Sequence, residues 1–284
     1  MHSPRSLAVG GALVLVMALG TACSAGRPPH TAGPGSSAPS PAVPTAVRPP
    51  TANAVFDYQL GGAYPPPGKV RAVSRDRTAK PAPGRYNICY VNAFQAQPDD
   101  AGSWEDDHPE LLLRDEHGDL VIDEDWDEPL LDISTGAKRA ALMEIVGPWI
   151  DGCAKAGYDA VEPDNLDSYE RSDGKLTARH AADFARLLAR RAHQRHLAIA
   201  QKNTADLLPQ RGRIGFDFAV VEECARYKEC TDFATAYANR VFIIEYAQQD
   251  FTAACRAWGR KLSLTLSDRD VRPAGTKGSL RRYC

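Results

Sequence analysis

The chain of 284 residues carries 34 lysines and arginines against 36 aspartates and glutamates, a formal charge of −2. With no basic excess, nothing in it recommends a nucleic-acid partner. Its length leaves room for one large domain with a substantial core once two atypical N-terminal stretches are set aside.

His2 and Arg5 precede an apolar run from Leu7 to Leu19, followed by Gly20-Thr21-Ala22-Cys23. A permanent membrane helix needs about 20 apolar residues, so residues 1–23 read as a processed export signal. The small residues before Cys23 resemble a bacterial lipobox, whose cysteine takes a lipid. Gly20 stands where a lipobox usually has leucine, and ordinary cleavage with secretion is the alternative. Residues 24–53 are almost wholly Pro, Ala, Ser, Thr and Gly and read as a disordered linker. The expectation is a domain over 54–284, exported as a cell-surface lipoprotein or an extracellular protein, monomeric, touching a membrane only through a lipid on Cys23.

Eight later stretches have strand character: Val55 to Leu60, Val70 to Ser74, Tyr86 to Val91, Tyr158 to Glu162, Leu197 to Lys202, Phe216 to Glu222, Val241 to Tyr246 and Lys261 to Leu266. Nearly continuous apolar runs such as Phe218-Ala219-Val220-Val221 belong to strands covered on both faces. Helical spacing predicts a helix from Thr177, as N-cap, to His193, and another from Ala137 to Ala154 that Gly147-Pro148 kinks or splits. Shorter helices are expected near Asp232 to Ala238 and Phe251 to Trp258. Strands alternating with helices in a domain of this size predict an α/β fold, a single (β/α)8 TIM barrel, with a doubly wound open sheet as the alternative. Gln95 to Asp132 is a long polar insertion after the third strand, carrying Trp104, His108 and Trp126. His108 and His117 lack partners at metal-ligand spacing and read as surface residues.

Leaving Cys23 aside, six cysteines remain, an even number that suits disulfides in an exported chain. Cys224 and Cys230 read as one bridge and Cys255 and Cys284 as a second; Cys89 and Cys153 either pair or stay as thiols.

In a parallel barrel the C-terminal strand ends converge on one rim. The polar residues there are Asp57, Gln59, Tyr90, Asn92, Glu162, Asp164, Asn165, Lys202, Asn203, Glu222, Glu223, Glu245 and Tyr246. Several acids with Asn, Tyr and Trp, and no G-x-S-x-G elbow, suit acetal hydrolysis, in which one carboxyl donates a proton while another stays ionised. Two other uses of the same rim stay open. Glu162, Asp164 and Asn165 could ligate a divalent metal in a metal-dependent hydrolase, or the barrel could bind carbohydrate without turnover through its aromatic insertion. No cofactor and no metal is expected in the leading reading.

Val161-Glu162-Pro163-Asp164-Asn165-Leu166-Asp167, Lys202-Asn203, Phe216 to Cys224 with Cys230, and Glu245-Tyr246 resemble the successive motifs of glycoside hydrolase family 114, the endo-α-1,4-polygalactosaminidase-like barrels. Tyr58-Gln59-Leu60 and Cys89-Tyr90 agree with it. The resemblance implies cleavage inside a galactosamine-containing polysaccharide, with Asp164 and Glu222 as the catalytic pair. Glu222 is then the general acid/base and Asp164 its carboxylate partner. Asp57, Gln59, Tyr90, Glu162, Asn165, Lys202, Asn203, Glu245 and Tyr246 are expected to bind substrate, and Asp167 to hold the turn.

Overall fold

The elements run β1 (Phe56–Tyr58), β2 (Ala72–Asp76), β3 (Tyr86–Asn92), α1 (Pro98–Asp107), β4 (Ile122–Asp123), β5 (Glu128–Pro129), α2 (Gly136–Ala156), β6 (Ala160–Asp164), α3 (Ala178–Gln194), β7 (Ala198–Lys202), α4 (Arg211–Ile214), β8 (Phe218–Glu222), α5 (Cys224–Tyr227), α6 (Cys230–Ala236), β9 (Val241–Glu245), α7 (Gln248–Trp258), β10 (Ser263–Ser267) and β11 (Arg281–Tyr283). This is a computed structural model, and it describes residues 46–284. The signal expected over 1–23, Cys23 with its lipid, and the linker up to residue 45 lie outside the described residues.

All eight expected strands form, and they pair in parallel in the order β1-β2-β3-β6-β7-β8-β9-β10. The gap between β10 and β1 has no ladder. Thr265 Oγ1 crosses it to the Phe56 carbonyl at 2.6 Å, and β11, antiparallel on β10, brings Arg281 to the Tyr58 carbonyl at 3.0 Å. The result is a nearly closed barrel. The open sheet is thereby set aside.

Side chains alternate along each strand, and this sorts the core into two layers. Phe56, Ile88, Ala160, Ala198, Phe218 and Phe242 fill the barrel, with the Phe56 and Phe242 rings stacked at 4.5 Å. Cys89, Val91, Val161, Ile199, Ala219, Val221 and Ile243 point outward into a second layer under the helices. The α3 helix starts where its sequence says, with Thr177 Oγ1 accepting from the His180 amide, and lays Ala181, Phe184 and Leu188 onto that layer. Three disulfides, Cys89–Cys153, Cys224–Cys230 and Cys255–Cys284, staple the outer layer. Such bridges suit an oxidising compartment outside the cytoplasm.

Two expectations need correction. The α2 helix runs continuously from Gly136 to Ala156 with Pro148 inside it, so Gly147-Pro148 does not split it into two abutting helices. Pro148 and Glu144, whose carbonyl loses its donor, both lie on the exposed side, so water can satisfy that carbonyl. Residues 46–53, assigned by composition to the linker, lie on the barrel: Val47 packs against the inner core and the Arg48 carbonyl accepts from Tyr86 Oη at 2.9 Å. Among the described residues no helix is long and apolar enough to cross a membrane.

Candidate active site

Strand parity decides which rim residues face the barrel axis. Tyr58, Ser74, Tyr90, Glu162, Asp164, Lys202, Glu222 and Tyr246 continue the inward series begun by Phe56, Ala72, Ile88, Ala160, Ala200, Val220 and Ile244. They meet around one ammonium. Lys202, only 2% exposed, places Nζ 2.8 Å from Asp164 Oδ2, 3.2 Å from Glu222 Oε2 and 3.6 Å from Glu162 Oε1, with Tyr58 Oη at 3.2 Å. The Tyr90 ring lies beneath the same ammonium, its centroid 5.8 Å away. The cation needed to hold the two buried acids and Glu222 together is therefore supplied by the chain itself. It stands where a metal bridging Glu162 and Asp164 would have to stand.

Each acid has its own environment. Glu162 is fully buried and accepts from Tyr58 Oη at 2.9 Å and Ser74 Oγ at 2.6 Å; burial lifts it to about 7 despite Lys202 and these donors. Asp164 sits on the floor, raised by burial and by repulsion from Glu222, with Lys202 pulling the other way. Glu222 stands higher, its side chain 25% exposed. Burial pushes Glu222 up, but Lys202, Tyr246 and Asn203 outweigh it and hold it below the usual range. Tyr246 Oη donates to Glu222 Oε1. Asn203 grips Glu222 twice, accepting from its amide at 2.8 Å and donating to Oε2 at 3.3 Å. Asn203 does so from a left-handed backbone, φ 45°, which asparagine tolerates better than most residues. With Lys202 touching both, the nearest oxygens of Asp164 and Glu222 can be no more than about 6 Å apart.

The insertion after β3 completes the rim. Its β4–β5 hairpin carries Glu128 to Asn92, whose Nδ2 donates to Glu128 Oε2 at 2.8 Å, and burial raises Glu128 to about 7. Asn165, joined to Asp164 by a cis peptide, turns its amide onto Gln95 Oε1 at 2.9 Å. Gln95 in turn reaches Asp123, which pairs with Arg171 at 2.6 Å, and Arg171 holds Asp167 at 2.8 Å. Asp167 thus fixes the turn, as expected. His117 is exposed and His108 half-buried against Trp104.

Three expected substrate contacts lie elsewhere. Asp57 and Gln59 have the outward parity and are buried: Gln59 Nε2 and Tyr64 Oη both donate to Asp57 at 2.8 Å, and Arg75 Nε donates to Gln59 Oε1 at 2.9 Å. Glu245 also faces outward, beside the Cys224–Cys230 bridge, where its Oε1 accepts from the Ala225 amide at 2.9 Å and burial lifts it to about 7. Their hydrogen bonds tie loops to the barrel, away from the cleft. Conversely, Tyr58, Ser74 and Glu128 belong to the site although they are not among the expected site residues. Parity would have found Tyr58 and Ser74. For Glu128 the only signal is its position beside the apolar run Pro129-Leu130-Leu131, which anchors the insertion on the core.

A cavity of about 810 Å³ opens above this cluster, walled by Asn203, Glu222 and Tyr246, by Asp125 and Trp126 of the hairpin, and by Arg226 and Tyr227 of α5. Seven carboxylates line it against three guanidiniums, and all three guanidiniums are paired with acids. A barrel with facing carboxyls under an open cleft is the equipment of a glycoside hydrolase. The chain belongs to glycoside-hydrolase family GH114, whose family model matches residues 36–284. Among solved structures it is similar to Ega3 of Aspergillus fumigatus, crystallised in complex with galactosamine: 26% identity, TM-score 0.67, over 84% of this chain and 98% of that one. The glycoside hydrolase domain of PelA from Pseudomonas aeruginosa shares the fold at 18% identity and TM-score 0.55, over 78% of this chain and 97% of that one. No curated protein sequence matches the chain.

Proposed function

We infer that this enzyme cleaves internal α-1,4 linkages of a galactosamine-containing polysaccharide, with Asp164 and Glu222 as the two carboxyls. The observation that carries the reading is their convergence on Lys202 within about 6 Å of one another. Carboxyls about 5–5.5 Å apart act with retention, and roughly 6.5–9.5 Å leaves room for the water of inversion. The nearest oxygens fall short of the inverting separation, and we read the pair as retaining. Asp164, on the floor and held by Lys202, suits attack on the anomeric carbon from below. Glu222, at the solvent-facing wall, suits proton donation to the leaving sugar and later proton removal from water. Electrostatics alone favour the proton on Asp164, which would reverse these roles. Position weighs more, because Tyr246 and Asn203, which with Lys202 keep Glu222 ionised, are groups for which the oxygens of a bound sugar would compete. The excess of carboxylates along the cleft supports a polymer with free amines, attracted electrostatically. Ega3, crystallised with galactosamine, supports the same sugar.

Incubation of the domain with partly deacetylated polygalactosamine should release new reducing ends whose first-formed anomer, followed by proton NMR, is α. Failure to cut any amino-sugar polymer overturns the reading, and a β product overturns retention. Asp164→Asn and Glu222→Gln should each lower kcat at least about 10³-fold without changing the circular dichroism; near-normal turnover in either would mean the wrong pair. An export signal with a lipid on Cys23 completes the proposal, and mass spectrometry of the protein as exported tests it.

A further inference from the structure

Only three large hydrophobic side chains stand exposed among the described residues, and two of them, Trp126 at 59% and Tyr227 at 58%, line the cavity that holds Glu222. The third, Ile122, belongs to the same hairpin as Trp126. Exposed aromatic surface is unfavourable in water, and its placement in one cleft points to an apolar face of a ligand. The two rings arrive on separate supports. Trp126 caps the β4–β5 hairpin, which Arg171 ties to the rim through Asp123. Tyr227 ends α5, which the Cys224–Cys230 bridge ties to α6 and the Ala225–Glu245 hydrogen bond ties to β9. The Arg226 guanidinium lies 5.3 Å from the Tyr227 ring centroid and is itself held by Glu223 at 3.0 Å. Neither ring belongs to the cluster around Lys202. A cavity of about 810 Å³ lies in the upper range of pockets for extended ligands, roughly 300–1,000 Å³, and exceeds the needs of one sugar ring.

We propose that Trp126 and Tyr227 are stacking platforms for sugar rings on either side of the cleaved residue, and that they set the preference for long chains over short ones. This rests on the glycosidase reading above and adds the residues that give it an internal mode of cleavage. A galacto-configured ring carries its O4 axially, so C3–H, C4–H and C5–H form a continuous apolar patch on one face. That patch fits flat on an indole or phenol, while the amines on the rim of the ring face the cleft carboxylates.

The test is kinetic, on the intact domain. For Trp126→Ala and Tyr227→Ala, kcat/KM is measured on partly deacetylated polygalactosamine and on a galactosamine trisaccharide. Each variant should lower the polymer-to-trisaccharide ratio of kcat/KM by about tenfold, chiefly through KM, as expected for the loss of one aromatic contact. Trp126→Phe, which keeps a ring, should restore most of it. In a Glu222→Gln background, oligosaccharide should quench the tryptophan emission, and Trp126→Phe should remove that response, because Trp104 is buried beneath the insertion and neither Trp149 of α2 nor Trp258 of α7 lines the cavity. An unchanged ratio in both alanine variants, or equal losses on both substrates, overturns the platforms. If the wild type cuts neither substrate, the glycosidase reading fails instead.

Discussion

Replacing Lys202 by methionine keeps the volume of the side chain and deletes the charge on which the site converges. At an effective dielectric constant of 20, the contacts of 2.8, 3.2 and 3.6 Å to Asp164, Glu222 and Glu162 represent about 5–6 kcal/mol of attraction each. Desolvation consumes most of that in the wild type. What the substitution exposes is the cost of leaving buried acids without their partner, about 3–5 kcal/mol. At about 2–4 °C per kcal/mol for a domain of this size, the Tm at pH 7 should fall by roughly 10 °C. The deficit should depend on pH with a definite sign. Burial opposes the charge on Lys202, but Asp164 and Glu222 hold its pKa well above the usual lysine value, so the wild-type ammonium stays charged throughout the working range. Without it, burial and mutual repulsion favour the protonated acids. An acid raised in the folded state stabilises fully below its unfolded pKa and loses that contribution as pH rises. The deficit of Lys202→Met should therefore be smallest near pH 5 and largest near pH 8, and the acidic limb of kcat/KM should move to higher pH. Calorimetry at three pH values with a matched rate profile suffices. A variant with wild-type Tm at pH 8 and an unmoved limb would refute the idea that the ammonium organises the site.

Glu162 carries a related prediction. With its pKa raised to about 7 from an ordinary 4.5, its contribution is complete below the unfolded value and disappears as pH rises through about 7. The wild-type Tm should decline between pH 5 and pH 8, and Glu162→Gln should flatten part of that decline; an identical slope counts against it. The disulfides should differ in worth by the loops they close, about 4 kcal/mol for Cys89–Cys153, 64 residues apart, against about 2 kcal/mol for Cys224–Cys230, six apart. Paired Cys→Ser variants compared in urea titrations test the ranking, and a larger loss for the small loop would reverse it.

The barrel was legible because its strands are buried on both faces and so announce themselves as apolar runs, and because Thr177 and the apolar stripe after it mark a helix without tertiary help. The same runs hid which way each strand end points. Reading polar residues at strand ends as rim-facing put Asp57 and Gln59 in the cleft in place of Tyr58 between them, and Glu245 beside Tyr246, although a strand sends neighbours to opposite sides. Glu162 and Asp164, two apart, share a face and were found. Gly147-Pro148 misled for a different reason: the cost of an interior proline depends on whether the stranded carbonyl meets water, which burial and not sequence decides. Glu128 was illegible because it reaches the site through the packing of a 38-residue insertion, and no local period records that placement.

Arg281 reaches across the open seam to the carbonyl of Tyr58, a partner 223 positions earlier in the chain. A ribosome, or any pore that passes the chain from its N-terminal end, delivers the first strand long before the segment that seals it. Until residues 281–284 arrive, the edges of β1 and β10 remain available to foreign strands, and Cys255 has no Cys284 with which to pair. The sealed barrel is thus a late event in the life of each molecule. A shortened or masked C-terminal end should yield a protein that keeps every catalytic group yet aggregates before it can use them.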